Sequence, residues 1–518
     1  MSKPSSAPAI WCVTWAKRPA GPHPAGKTAR SLAMKRLDLR RPAGAMLTLA
    51  LGLLGLRLVS MLWVPYIDTT EPRYAEIARL MAQSGDWVTP WFEPGVPFWG
   101  KPPLSFWLQA LSMKLFGLSE WVARFPAWVA TALTLWPLHA LARAWAGRRA
   151  AAAAVLIHVT CALPYMMAGA VLTDPFLALG TTLFMAGLML PQWHWRLLAA
   201  VGLAIGLLAK GPLALVIVAG PAALCLLAYR RRVWPALSMR GWLVGLSLVA
   251  SLVVPWYVIA EIRTPGFWDY FLIGEHVRRF LEPGWAGDLY GTAHRRAIGA
   301  IWLGWLAATL PWSPLALAML AAALRHRRGR GALLRLIRRP MTGYLIAWAL
   351  FVPLFFTLSR NILWTYVLPA LPAFAILTGR ALVLVQRRLR LGRSPALHAV
   401  GTAPALFVPV VTLLATLAIC FNPGSVKTEK ALIRQVMSVA PPGATLWFVD
   451  SRSFSARYYS RGQALLISSE ELPALVAGTE GAIFIAARPD VMARLQTTLP
   501  LTALPLADSR RYRVGRIR

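Results

Sequence analysis

Residues 241–260 read GWLVGLSLVASLVVPWYVIA, twenty consecutive residues without a charged side chain. An α-helix needs about 20 predominantly apolar residues to cross the hydrocarbon core of a bilayer. Comparable blocks recur along the chain, and the candidates are 46–66, 121–145, 150–170, 175–190, 195–209, 212–229, 241–260, 297–323, 341–357, 364–385 and 399–420. The sequence therefore predicts an all-α polytopic membrane protein with about 11–13 transmembrane helices.

The composition excludes an ordinary soluble enzyme. Of the 518 residues, 57% are hydrophobic and only 14% are charged, whereas soluble domains carry about a quarter charged residues. The net charge of +35 would suggest nucleic acid in a soluble protein. Here the arginines form short clusters between apolar blocks, as the positive-inside rule requires. We therefore expect membrane lipids as partners and no nucleic acid.

The charges also predict an orientation. With the N-terminus inside, the strong arginine clusters all fall on the inner side: 148–149, 195–196, 230–232, 325–339 and 387–388. Twelve of the thirteen acidic residues before position 421 then fall on the outer side, and only Asp38 is inside. The outer loops 67–120 and 261–296 are long and rich in Trp and Pro. Long loops on one face are where membrane enzymes place their chemistry, although a solvated exterior with an aromatic belt also fits.

Different segments flank the predicted transmembrane domain 46–423. Residues 1–45 are rich in Pro, Ser and Arg without periodicity, so we expect a disordered basic segment. Met34 precedes Lys35 and Arg36 and is a hypothetical alternative start of translation, in which case the preceding residues are not translated.

The C-terminal residues 424–518 have a different pattern from the apolar blocks. Leu446–Val449 and Ala482–Ala486 are typical of short buried strands, and Glu470–Val476 of a helix between strands. We predict a small α/β domain on the outer face.

Two carboxylates in the first outer loop are candidates for catalysis. Asp68 and Glu71 immediately precede a helix that Pro72 is suited to begin. The helix dipole stabilises acids at that place, so a structural role and contact with a substrate are about equally supported. Asp174 lies between two apolar blocks, where acids are functional candidates by default, although an Asp-Pro pair also simply begins a helix.

Several cations accompany these acids on the predicted outer face. Lys101 is held by Pro102 and Pro103 and could bind a phosphate or extend to lipid headgroups in general. His276 has no partner in the sequence, and a lone histidine is more often structural. The candidate substrate-binding residues are Arg73, Tyr74, Lys101, Lys210, His276, Arg278, Arg279, Arg360 and Tyr366. A few carboxylates amid many phosphate-binding cations suit a lipid phosphate substrate and a transfer reaction.

Several motifs resemble those of a known family. Glu71-Pro-Arg73-Tyr74-Ala-Glu76-Ile-Ala-Arg79, Gly85-Asp86-Trp87-Val88-Thr-Pro90 and Lys101-Pro102-Pro103-Leu104 are similar to bacterial aminoarabinose transferases, which belong with the protein O-mannosyltransferases to the GT-C glycosyltransferases. Val171-Leu-Thr-Asp174-Pro175, Lys210-Gly211 and Thr365-Tyr366-Val-Leu-Pro369 follow in the same order. The resemblance covers most of residues 46–380.

The resemblance implies an enzyme of the bacterial inner membrane that moves a sugar from a polyprenyl-phosphate (undecaprenyl-phosphate) donor to a periplasmic acceptor. The acceptor would be lipid A or another envelope glycan, and the sugar an aminoarabinose or a hexosamine. Lys101, Tyr366 and one of Arg278 or Arg279 would bind the carrier phosphate. Asp174 and the Asp68/Glu71 pair would lie near the sugar and the acceptor.

Two positions depart from the family pattern. Thr70 stands where an Asp usually precedes the Glu of the first motif, so the catalytic carboxylate is ambiguous between Asp68 and Glu71, and we favour Asp68. Gly100 stands where a Glu often precedes Lys-Pro, which removes a metal ligand beside His276. We therefore predict no structural zinc, and dependence on a divalent metal is left open.

Two other classes of function are the alternatives. A transporter or lipid flippase would place charges in mid-span and show repeat symmetry between its halves, and the sequence shows neither. An envelope scaffold would not need carboxylates together with phosphate-binding cations. The sequence favours the glycosyltransferase.

Overall fold

The computed structural model describes residues 42–229, 239–291, 294–388, 395–504 and 511–517. These described residues belong to one compact unit. The predictions for residues 1–41 and for the arginines at 230–232 lie outside the described residues. The first helix begins at Pro42, so the prediction of disorder was wrong for residues 42–45.

A helix occupies every one of the eleven apolar blocks. The helices up to the second outer loop are α1 Pro42–Ser60, α2 Thr70–Ser84, α3 Leu104–Phe116, α4 Glu120–Ala146, α5 Arg148–Thr160, α6 Ala162–Met167, α7 Asp174–Met189, α8 Trp193–Lys210, α9 Leu213–Tyr229 and α10 Met239–Arg263. After it follow α11 Arg279–Leu281, α12 Ala300–Ala308, α13 Trp312–Arg325, α14 Arg327–Ile337, α15 Pro340–Phe356, α16 Leu371–Arg388 and α17 Pro395–Phe421. A π-helix spans Asp269–Arg278 and a 3₁₀ helix spans Trp364–Ala370.

Not every helix is long enough to cross a membrane by itself. Among the described residues, five are long and apolar enough, or up to seven if α12 with α13 and α14 with α15 each form one bent span. The apolar helices α7 and α9 have 16 and 17 residues, which at 1.5 Å per residue gives about 24–26 Å, slightly less than the roughly 30 Å of a bilayer core. The predicted number of 11–13 crossings stays a prediction.

Contacts at the predicted inner ends agree with the positive-inside assignment. The Arg149 guanidinium donates to Gln386 Oε1 at 3.1 Å, which joins the beginning of α5 to the end of α16. The Tyr229 hydroxyl at the end of α9 donates to the carbonyl of Ile337 at 2.7 Å. Two pairs of segments that the charge pattern placed on one side therefore lie together.

Helices α7 and α8 pack so closely that backbone touches backbone. A Cβ added to Gly180 would lie 2.4 Å from the carbonyl oxygen of Gly202, and one added to Gly202 would lie 2.5 Å from that of Gly180. Small residues permit such close approach of helices in membranes. Because the two helices are sequential neighbours, the beginning of α7 and the end of α8 meet, which places Asp174 beside Lys210.

The C-terminal segment forms the predicted α/β domain. Its strands are β3 Thr445–Val449, β4 Ala464–Ile467, β5 Ile483–Ala487, β6 Thr502–Ala503 and β7 Arg513–Ile517, after the short hairpin β1 Trp91–Glu93 and β2 Val96–Pro97 of the first outer loop. The sheet has the order β4-β3-β5-β7-β6, with β3 parallel to both β4 and β5, and β7 antiparallel to both β5 and β6. Its helices are α18 Lys430–Val439, α19 Phe454–Tyr459, α20 Leu472–Gly478 and α21 Pro489–Thr498.

The two long outer loops and the C-terminal domain pack on one another. The Arg73 guanidinium donates to the carbonyl of Tyr290 at 2.6 Å, and the Tyr290 hydroxyl donates to the carbonyl of Pro97 at 2.8 Å. Glu93 of the first outer loop accepts from two arginines of the C-terminal domain, Arg452 at 2.7 Å and Arg457 at 2.6 Å. The segments predicted to be outside therefore share one side of the helix bundle.

Candidate active site

A cavity of about 320 Å³ opens between the second outer loop and the ends of α8, α9 and α15. Its polar lining residues are Lys101, Lys210, Glu275, His276, Arg279, Ser359, Asn361 and Tyr366. Its apolar lining residues are Pro212, Leu213, Val216, Leu272, Val277, Phe280, Phe355 and Phe356. Five of the candidate binding residues, from four separate segments of the chain, thus share one cavity.

A carboxylate joins two cations at the centre of this cavity. The Lys101 ammonium donates to Glu275 Oε2 at 2.9 Å and also to the carbonyl of Gly100. Arg279 donates to Glu275 Oε1 at 2.6 Å, and its guanidinium lies 3.5 Å from Asp288. Each oxygen of Glu275 therefore serves a different cation, and its side chain is only 5% exposed.

Electrostatics keeps all three groups ionised. Burial alone would raise the pKa of Glu275, but the charges and hydrogen bonds of Lys101 and Arg279 outweigh it and lower that pKa to about 2. Burial alone would lower the pKa of Lys101, but attraction to Glu275 outweighs it and raises that pKa above its ordinary value. The Arg279 pKa is likewise raised, chiefly by Glu275 against the effect of burial.

A second ion pair, between Lys210 and Asp174, lies at the border of the cavity. The Lys210 ammonium at the end of α8 donates to Asp174 Oδ1 at the beginning of α7, at 2.5 Å. The same ammonium lies 4.8 Å from the centre of the Tyr366 ring, a distance typical of cation–π attraction. Asp174 is thus fixed through Lys210 at the border of the cavity.

His276 is turned toward backbone carbonyls. Its Nδ1 lies 2.7 Å from the carbonyl oxygen of Phe271, and its Nε2 lies 3.2 Å from that of Lys210. Burial lowers its pKa, and the nearby charge of Lys101 acts in the same direction. Across the described ranges, no three His, Cys, Asp or Glu side chains are grouped as metal ligands. The absence of a structural zinc stays a prediction.

Two buried donors of the cavity wall have no acceptor among the residues that the structure describes. Asn361 is 4% exposed, and its Oδ1 accepts from the backbone N–H of His294 at 3.0 Å. This contact fixes the orientation of the amide and leaves Nδ2 without a partner. The Nε of Arg279 is also buried and unpartnered. Unsatisfied buried donors are costly, so the site suits a ligand rich in oxygen acceptors.

Asp68 does not lie at this cavity. Its side chain is 1% exposed and accepts from Arg511 at 2.8 Å. It also accepts from the backbone N–H of Ser455 at 2.7 Å and from the Ser453 hydroxyl at 3.2 Å. We favoured Asp68 as the catalytic carboxylate, but the C-terminal domain supplies three donors to it and holds it away from the cavity.

Asp68→Asn is therefore expected to weaken the attachment of the C-terminal domain rather than the binding of a substrate. An amide cannot accept from all three donors as an anion does, and hydrogen bonds to charged groups contribute about 1.5–3 kcal/mol each. We expect a lower melting temperature and faster proteolysis after residue 421, with affinity for a carrier lipid unchanged. Asp490→Asn, an exposed acid of the same domain, is the control. Loss of carrier binding at unchanged stability would return Asp68 to the reaction centre.

Glu71 is also held in a buried contact. Its carboxylate accepts from Arg124 at 2.8 and 3.1 Å and from the backbone N–H of Val171 at 3.0 Å. Helix α2 begins at Thr70 instead of Pro72, so Glu71 lies inside the first turn. It joins the first outer loop to α4 and to the segment before Asp174, and does not line the cavity.

The other predicted binding residues differ in position. Arg73 contacts the second outer loop at Tyr290. Tyr74 is buried against Phe98 and Phe106, and it is close enough to Lys101 to help raise the pKa of Lys101. Arg278 and Arg360 are exposed and do not line the cavity. Of the two arginines left open by the sequence, Arg279 is the one at the cavity.

Sequence reasoning missed Glu275 and Asn361 as site residues. Glu275 precedes Arg279 by four positions, the spacing of ion pairs on helices, and this signal could have identified it. Asn361 is recognised only through its contact with the backbone of His294, 67 positions away, which no local pattern indicates.

The comparisons with known proteins agree with this geometry. Residues 46–271 match the family model of dolichyl-phosphate-mannose-protein mannosyltransferases. The resemblance to these glycosyltransferases is confirmed. The chain is 34% identical over 387 residues to an undecaprenyl phosphate-α-4-amino-4-deoxy-L-arabinose arabinosyl transferase of Pseudomonas aeruginosa, covering 70% of this chain and 63% of that one. A relative of the same name from Sodalis glossinidius is 31% identical, over 62% of this chain and 55% of its own. The chain thus spans less than two thirds of these relatives.

A solved structure shares the fold. ArnT from Cupriavidus metallidurans, in a structure with bound undecaprenyl phosphate, matches with a TM-score of 0.75 over 92% of this chain and 98% of that one, at 20% identity. Its apo structure matches with a TM-score of 0.73. The predicted fold class, a polytopic helical protein of GT-C type with a small C-terminal α/β domain, is confirmed.

Proposed function

We propose that the protein is a glycosyltransferase that moves a sugar from undecaprenyl phosphate, or a similar polyprenyl phosphate, to lipid A or another envelope glycan. An aminoarabinose or a hexosamine is the sugar class. The proposed location is the bacterial inner membrane, with the cavity and the C-terminal domain on the periplasmic side. The names of the relatives in Pseudomonas and Sodalis support the donor, and the distribution of arginine clusters supports the orientation.

The observation that carries the proposal is the composition of the cavity. Lys101 and Arg279 are two cations that can contact one anion together. In the described part of the chain, Nδ2 of Asn361 and Nε of Arg279 are donors without acceptors. Apolar side chains of α9 and α15, among them Val216 and Phe355, line the same cavity. A phosphate attached to a long hydrocarbon chain satisfies both the polar and the apolar part.

In the proposed transfer the residues of the cavity have different parts. As the bond between the sugar and the phosphate breaks, negative charge grows on the leaving phosphate, and Lys101 and Arg279 stabilise it. Tyr366 and Lys210 border the reacting region, and Asp174 holds the Lys210 ammonium in place. A hydroxyl acceptor requires a carboxylate as general base, whereas a phosphate acceptor is already anionic and requires none.

A reconstituted transfer reaction tests this function. Purified full-length protein in proteoliposomes is given undecaprenyl-phosphate-aminoarabinose and lipid A, and products are identified by mass spectrometry. Formation of sugar-modified lipid A, together with free undecaprenyl phosphate, is the expected result. A hexosamine-loaded carrier is the second donor. If the protein moved the intact donor across the bilayer and transferred sugar from neither donor, this result would contradict the proposal and support the flippase alternative.

A further inference from the structure

The charges around the cavity already balance without a substrate. The cations are Lys101, Lys210 and Arg279, and the anions paired with them are Asp174, Glu275 and Asp288. These are three positive and three negative charges in direct ion pairs, whereas His276 contacts only backbone carbonyls. An anionic ligand therefore meets a set of cations that are already neutralised, and gains their full attraction only if a carboxylate gives up its cations.

Glu275 is the carboxylate that occupies the place of a phosphate. It lines the cavity, whereas Asp174 and Asp288 do not. Its two oxygens contact two different cations at 2.9 and 2.6 Å, which is how two oxygens of a phosphate would engage them. Asp174 pairs with a cation of its own, Lys210. Asp288 shares Arg279 with Glu275, at the longer distance of 3.5 Å.

Local structure permits Glu275 to move without unfolding a domain. It lies in the π-helix Asp269–Arg278, a conformation that is rare and frequent at functional sites. The residue before it, Gly274, is buried against the Trp285 ring, so the displacement is a rotation of the Glu275 side chain rather than of the backbone. Its other neighbour, His276, is held by carbonyls and not by the carboxylate.

We propose that Glu275 is a resident counter-ion which the carrier phosphate displaces from Lys101 and Arg279, and which returns to those cations to expel the spent carrier. This inference rests on the proposed function, because it takes a polyprenyl phosphate as the ligand. Glu275 is a positioning residue in this scheme, since it acts through the two cations. The spent carrier has one more ionisable oxygen than the sugar-loaded donor, so it binds the cations more strongly and has the greater need of a competitor.

Glu275→Gln tests the displacement. The amide keeps the shape but competes only as a neutral hydrogen-bond acceptor, so undecaprenyl phosphate is expected to bind about tenfold more tightly than to the wild type. Its dissociation slows correspondingly, and steady-state transfer falls while a single turnover from preloaded donor proceeds at the wild-type rate. Equilibrium binding and dissociation of fluorescent undecaprenyl phosphate in nanodiscs, with single- and multiple-turnover assays, provide the measurements.

The control is Glu282→Gln, an exposed acid seven positions later, which is expected to leave all four quantities unchanged. If Glu275 merely kept the cations in place, its loss would weaken carrier binding and slow the single turnover. Weaker or unchanged affinity in Glu275→Gln therefore overturns the inference while leaving the proposed function intact. No measurable binding of undecaprenyl phosphate to the wild type would instead overturn the proposed function, and the inference with it.

Discussion

Arg124→Ala is expected to lower the free energy of unfolding by about 3–5 kcal/mol, the usual effect of breaking a buried ion pair. The Arg124 side chain is 2% exposed and donates twice to Glu71. It also donates to the carbonyls of Val64 at 2.5 Å and Pro65 at 3.1 Å. Alanine would leave a carboxylate and two carbonyl groups without this donor, at the place where the first outer loop meets α4.

Equilibrium unfolding in mixed micelles measures this effect. Arg143→Ala is the matched control, because Arg143 is an exposed arginine of the same helix and the substitution changes helix propensity little. The double variant Arg124→Ala with Glu71→Gln should be less destabilised than the sum of the single variants, since the two changes remove one interaction. An unfolding free energy equal to that of Arg143→Ala would show that the ion pair contributes nothing.

The fold was largely predictable because one physical signal dominates it. Blocks of about 20 apolar residues must be helical in a bilayer, since every backbone group needs a partner there, and all eleven predicted blocks contain helices. In the C-terminal domain, the strands predicted at 446–449 and 482–486 are observed at Thr445–Val449 and Ile483–Ala487. The alternation of apolar residues and the length of apolar blocks are local properties of the sequence, so they can be recognised without knowledge of tertiary contacts.

The candidate site was predicted in its cations and not in its carboxylates. Lys101, Lys210 and Tyr366 follow from motifs, and the structure places them together at the cavity. Asp68 and Glu71 were both candidates in sequence and we favoured Asp68, yet Asp68 contacts the C-terminal domain and Glu71 a buried arginine. Both partners are distant in sequence, so no spacing rule could reveal that the two acids were already paired.

In the segment Ser359-Arg360-Asn361, the residue that we selected from the sequence is not one that lines the cavity. We selected Arg360 because a charge is the natural partner of a phosphate. The structure exposes Arg360 and turns Ser359 and Asn361 to the cavity. The segment between α15 and the 3₁₀ helix has no period from which a face could be predicted, so only its packing identifies which side chain points inward.

Lys101→Ala is expected to weaken binding of undecaprenyl phosphate by roughly 10–100-fold, because a charge-assisted contact contributes about 1.5–3 kcal/mol. The residue lies on a loop that Pro102 and Pro103 constrain, and its ammonium contacts Glu275 inside the cavity. The variant leaves Arg279 to neutralise Glu275, so folding should be preserved. Lys101→Arg keeps the charge and should recover part of the affinity.

Lys114→Ala is the control for the loss of a positive charge, because Lys114 is an exposed lysine on α3 that contacts Trp87 and not the cavity. If both lysine variants weakened binding equally, the effect would be general attraction of the anionic lipid to the surface. Binding is therefore measured at low and high salt, since a surface effect disappears with screening. A Lys101→Ala loss that persists at high salt, combined with the gain expected for Glu275→Gln, would place the phosphate on Lys101 in the position that Glu275 occupies without it. Opposite changes in affinity cannot both arise from a disturbed fold.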